Sequence, residues 1–132
     1  MNIERSSPDV GYFSQDLYEQ ANFAQTVRVG NFVHFSGVVA ANAAAECVAP
    51  GDFGAQLNII LEIYRKLLAK EGMTFANLVS VTIFTTDMAA LLANAPTFKR
   101  VFGNTPPAAT WIEVKGLSNP ECLLEVVVIA AD

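Results

Sequence analysis

CLLEVVVIAA, residues 122–131, decides how the rest of the chain is read. Nine of its ten residues are apolar and three are consecutive valines, so the segment reads as a buried strand. The tenth, Glu125, is a carboxylate. An ionised group in such a strand costs several kcal/mol unless it is solvated, paired or neutralised. Glu125 is therefore a surface group, a structural partner or the working group of a site.

The surrounding composition narrows the setting. The chain has 132 residues, enough for one domain with its own core. Hydrophobic residues make up 52% and charged residues only 16%, against about 25% charged in a typical soluble domain. Either the chain enters a membrane or part of its surface is buried between subunits. A spanning helix needs about 20 apolar residues in a row, and the longest apolar stretch is the ten-residue strand broken by Glu125. MNIERSSPDV lacks the basic-then-apolar order of a secretion signal. The expectation is a cytoplasmic oligomer with no membrane partner. A net charge of −5 with eight scattered Lys and Arg gives no nucleic-acid footprint. Cys47 and Cys122 lack CxxC spacing and stand with a single histidine, so no metal site is expected and both thiols read as small packing residues.

Working outward, TVRVGNFVHFSGVV (26–39) alternates around Gly30-Asn31 as a hairpin does. Asp52 can cap a helix in which Phe53, Leu57, Ile60, Tyr64, Leu67 and Leu68 form one stripe and Gln56 falls on the polar side. Gly72 stops it. LVSVTIFTTD (78–87) is a strand, and MAALLANAPTFKRVFG carries a second helix with Asn94 as N-cap and Pro96 in the first turn. AATWIEVKGL (108–117) and the opening segment complete the strands. The fold class is α+β: a single mixed sheet with two helices on one face, the other face left for neighbouring copies.

Five segments, in order, resemble the Rid (YjgF) family of reactive-intermediate deaminases. NFAQTVRVGNFVHFSG is similar to its "PYSQAVKVGNxVYVSGQ", VTIFTTDM to "TTVYLTDM", TFKRVFG to "VYxxFFG", PAATWIEV to "PARSTVEV" and LLEVVVIA to "VEIEAIA". The match runs from about Asn22 to the end, leaving residues 1–21 as an N-terminal extension of a single Rid-like domain. Gly11-Tyr12-Phe13-Ser14-Gln15 also looks like the family's "GPYSQ", but only the later copy reaches VRVGN without an insertion, so Phe23 is matched to the family tyrosine.

The resemblance implies a chorismate-mutase-like homotrimer with clefts between protomers, and hydrolysis of enamines or imines with release of ammonia and no cofactor. It implies that Glu125 is the strand glutamate handling water and protons and that Ser36, Gly37 and Phe23 line the cleft. The family's carboxylate-clamping arginine is Ala109 here, and a small residue two positions on is Trp111. A methyl group cannot replace a guanidinium fork, so a standard 2-aminoacrylate deaminase is not expected. Ala109 and Trp111 share strand parity. Trp111 then either lines a pocket rebuilt for a planar ligand or fills an abandoned cleft. Beside Trp111, Glu125 would lose solvent and its pKa would rise. His34 is the second acid/base candidate and Glu113 a structural carboxylate. Deamination, tautomerisation and ring closure all fit one proton-transfer group; the alternative is a non-catalytic trimeric binder or structural protein.

Overall fold

The computed structural model describes residues 2–132. Six strands, β1 (Ile3–Ser6), β2 (Thr26–Val29), β3 (Phe32–Phe35), β4 (Leu78–Thr85), β5 (Ala108–Glu113) and β6 (Leu124–Ala131), form one sheet in the order β1-β2-β3-β6-β4-β5. All neighbours are antiparallel except β4 and β5, which run parallel. The opening decapeptide segment therefore supplies the middle of the sheet. Gly30 turns the β2–β3 hairpin at φ +60°, the left-handed region that a side chain disfavours.

The helices are α1 (Gln15–Ala21), α2 (Phe53–Lys70), α3 (Met88–Ala93) and α4 (Ala95–Phe102). Asp52 caps α2 as expected, its carboxylate accepting from Ala55 N at 3.0 Å. The apolar stripe of α2 packs on the buried face of the sheet, where Leu124, Val126, Val128 and Ala130 are almost without solvent. Tyr64 reaches through this layer and donates to the carbonyls of Val126 and Ser36. No helix among the described residues is long and apolar enough to cross a membrane.

Several local expectations are corrected. Gln56 is not on the polar side of α2 but fully buried, its Nε2 donating to Ala49 O and Glu121 O and its Oε1 accepting from Leu123 N. Long-range carbonyls satisfy the amide, which helical periodicity cannot foresee. The second helix starts where expected, α4 with Asn94 at the N-cap position and Pro96 in its first turn, but a separate helix α3 precedes it. The ring of Pro96 would clash with the carbonyl four residues back in a continuous helix, and the chain breaks at Asn94 (φ −97°, ψ 6°). Asn94 is not a side-chain N-cap; its Nδ2 donates backward to Ala90 O. β5 stops at Glu113, short of residue 117.

The described part of the N-terminal extension, residues 2–21, forms secondary structure: β1 pairs with β2, and α1 follows with Ser14 as its cap. Tyr12 packs within its own chain, its hydroxyl accepting from Val39 N at 3.1 Å and its ring stacked on Phe13 at 4.1 Å.

Candidate functional site

Side chains alternate across a strand, so each strand of this sheet has a face under the helices and an open face. Leu124, Val126 and Val128 point under the helices; Glu125, Val127 and Ile129 point the other way and keep partial exposure. Paired residues share a face. Glu125 stands opposite Phe84, and Thr82 opposite both Val127 and Thr110, so these groups belong to the open face. Trp111 stands opposite Ile83, and Ala109 opposite Val81, both of which are buried under the helices.

The expected neighbourhood of Glu125 and Trp111 is thus corrected for a single chain: they lie on opposite faces of the sheet. Trp111 packs on Phe98 of α4 with ring centroids 5.7 Å apart. Together with Ala109, Phe102 and Pro107 it lines a largely apolar cavity of about 290 Å³, with Lys99 at its rim.

Glu125 occupies the point where β3 leaves the sheet. His34 pairs with Ile129, and continuous pairing would bring Val38 to Glu125; Val38 instead bridges Val126, a slip of one residue. The slip lays Gly37 directly against the glutamate. A Cβ built on Gly37 would lie 2.5 Å from Glu125 Oε2 and 2.8 Å from Cδ, so only a glycine leaves the carboxyl its place. The carboxyl forms neither a hydrogen bond nor an ion pair with any described residue. Partial burial raises its pKa above the usual carboxylate range. The direction is the one expected, but the cause is burial against its own chain and not the indole.

The remaining candidates disperse. Ser36 has committed its hydroxyl to Ala24 O at 2.7 Å, and its carbonyl accepts from Gln25 Nε2, so it holds the turn beneath Gly37. Phe23 is not a wall beside Glu125: it packs edge-on against Tyr18 at 5.0 Å and lines a separate groove of about 550 Å³ with α1. His34 is exposed on the open face, four residues along β6 from Glu125, roughly 13 Å at the rise of a strand. It cannot exchange a proton with Glu125 inside one chain. Glu113, expected as a structural carboxylate, accepts through its Oε1 from Met88 N at the start of α3.

Tyr12 and Gln25 are the supports that sequence reasoning missed. Gln25 is fully buried, accepts from Tyr18 OH at 2.9 Å and holds Ser36 O. Tyr12, set aside in the sequence as the wrong copy of a repeated motif, anchors Val39 two residues past Gly37. Burial pushes its phenol pKa up, with the Glu125 charge among the lesser causes. The repetition of the aromatic-x-Gln pattern was the available signal: both copies contribute.

The single-sheet α+β fold of this chain has known relatives. The sequence profile described as Endoribonuclease L-PSP matches residues 13–132, and the chain belongs to this family, the Rid or YjgF family that its motifs resemble. A RutC family protein of Haemophilus influenzae is 34% identical over 99 residues, 72% of this chain and 75% of its own. The 3-aminoacrylate deaminase RutC of Acinetobacter baylyi is 26% identical over 110 residues, 83% of this chain and 86% of its own. The solved structure of the protein YjgH, a RutC family protein of Escherichia coli, shares 26% identity and a TM-score of 0.81, covering 97% of this chain and 96% of that one.

Proposed function

We propose that this chain is an acid/base enzyme acting on enamines, imines or related conjugated small molecules, and that it works as a homotrimer with its clefts between copies. The observation that carries this reading is the carboxyl of Glu125, raised in pKa by burial, free of partners and held open by Gly37. A carboxyl tuned toward neutrality can give a proton and take it back. In hydrolytic deamination Glu125 protonates the enamine carbon to give an iminium, then removes a proton from the attacking water. The tetrahedral adduct loses ammonia and leaves a carbonyl. A relative named as a 3-aminoacrylate deaminase supports the reaction class.

The open face supports the assembly. Phe32 is 49% exposed there and Ile112 38%, next to half-exposed Phe84, Val127 and Ile129. Such an apolar face is a natural subunit interface. β5 is an edge strand of the sheet, so Ala109 and Trp111 of one copy can meet Glu125 of the next, which one chain cannot arrange. Ala109 offers no cation, so the preferred substrate is a planar, conjugated one rather than 2-aminoacrylate.

The test is ammonia release from imines generated in situ by an amino-acid oxidase and from conjugated enamines. Glu125→Gln should cost about 10²–10⁴ in turnover, and full turnover by that variant would sink the assignment. Non-catalytic binding is the second reading, favoured by the cavity in which Trp111 lies on Phe98. Tryptophan fluorescence reports it, since Trp111 is the chain's one tryptophan; binding of aromatic ligands without turnover of any imine would select it.

A further inference from the structure

Cys47 and Cys122 are far apart in sequence, yet the fold sets them side by side. The thiol of Cys47 donates to Glu121 O at 3.4 Å, the carbonyl of the residue just before Cys122. One buried side chain holds both strands of this contact. Gln56 Nε2 donates to Cys47 Sγ at 3.6 Å and to Glu121 O at 3.1 Å, while Gln56 Oε1 accepts from Leu123 N at 2.9 Å. A second tie, Asn119 Nδ2 to Ala45 O at 3.3 Å, fastens the same two segments further on. The thiols are thus positioned by a network that does not depend on a bond between them.

Their environments differ. Cys47 is half-exposed and reachable from solvent, whereas Cys122 is 1% exposed. Burial pushes the Cys122 thiol up to about 12, with Cys47 the next cause, so Cys122 stays protonated at neutral pH. A reagent in solution meets Cys47 first.

We propose that Cys47 and Cys122 are a reversible redox pair that closes into an intramolecular disulfide on exposure to a peroxide. The Cys47 thiol gives up its proton as its sulfur attacks one peroxide oxygen; the O–O bond breaks, Cys47 becomes a sulfenic acid, and the other oxygen leaves as hydroxide and takes that proton to form water. The Cys122 sulfur then attacks the Cys47 sulfur. The S–O bond breaks and hydroxide departs with the Cys122 proton as a second water. Two thiols and one peroxide give one disulfide and two waters, and a dithiol reverses the bond by exchange. The product ties the loop around Cys47 to the run-in of β6, three residues before Glu125, and closes a long stretch of chain, which constrains the unfolded state. Nothing in this proposal depends on the chemistry assigned to Glu125.

The experiment is titration of the reduced full chain with hydrogen peroxide, a quench with N-ethylmaleimide, intact mass and a non-reducing peptide map. The expected result is a chain lighter by two hydrogens, carrying no maleimide and yielding a linked Cys47–Cys122 peptide. Dithiothreitol restores both reactive thiols. The oxidised chain should melt several degrees above the reduced one. Cys122→Ser should leave a Cys47 sulfenic acid that dimedone traps. If that buried substitution unfolds the chain, Cys47→Ser, at the half-exposed position, gives the matching readout: no disulfide and no dimedone adduct. Persistence of two alkylatable thiols under peroxide, or a bond formed only between chains, would overturn the proposal.

Discussion

The two faces of β6 differ sharply in burial, although their residues alternate along one strand. Leu124, Val126, Val128 and Ala130 lie under α2 and its neighbours at 0–2% exposure. Glu125, Val127, Ile129 and Ala131 are only half-buried on the open face. One face holds the domain together, through dispersion and removal of apolar area from water. The other holds little within the chain and carries the unpaired carboxyl of Glu125. The same decapeptide therefore packs the core at even positions and faces the open side at odd ones, and substitutions at adjacent residues should have effects of different kinds.

The largest contrast is expected from an aspartate scan of that alternation. Val128→Asp buries an unpaired charge and should abolish cooperative unfolding by circular dichroism. Ile129→Asp, one residue on, should keep a cooperative melt while native mass spectrometry shows the oligomer dissociated; an unfolded Ile129→Asp chain would mean that the open face also stabilises the monomer. Smaller in stability but sharp in activity, Gly37→Ala forces the Glu125 carboxyl aside because a Cβ would overlap it at 2.5 Å. Since the overlapping atom ends a flexible side chain, the melting temperature should move by only a few degrees, whereas imine turnover should fall at least tenfold. Equal turnover in Gly37→Ala would show that the position of the carboxyl is not critical.

The smallest effect is a pH-dependent one. The Glu125 pKa is raised in the folded state by burial, so its contribution to stability is fully present below the unfolded carboxyl pKa and is lost as pH rises through the folded one. Glu125→Gln removes that loss. Thermal melts should place Glu125→Gln above wild type at pH 7 by a few degrees or less, given the partial exposure of the group, with the gap closing toward pH 4. A gap that widens on acidification would contradict the direction of the shift.

Much of the fold was legible because its determinants are local. The Gly30 turn, the Asp52 cap, the stripe of α2 and the alternation of β6 each require only neighbours in sequence, and the composition foretold an uncovered face. The candidate site was legible in part. Glu125 and Gly37 do meet, but Trp111 and Glu125 fall on opposite faces. Parity along one strand says which residues travel together; the phase between strands is set by the pairings of Ile83 with Trp111 and Phe84 with Glu125 across β4, which no periodicity reports. Gln56 and the Cys47–Cys122 contact were hidden for the same reason: their partners are brought by tertiary packing. The break at Asn94 was foreshadowed by Pro96, but a side-chain cap was not needed because its amide turns back to Ala90.

Whether catalysis belongs to Glu125 together with a neighbouring copy can be measured on one sample. Native mass and ammonia release per chain are recorded for Ile129→Asp, which keeps Glu125, Gly37 and Trp111 intact. The expected result is a folded monomer with less than about one hundredth of the wild-type turnover, the scale of losing a positioned acid/base group. A monomer that deaminates at the wild-type rate would contradict it, and would place the whole site within a single chain.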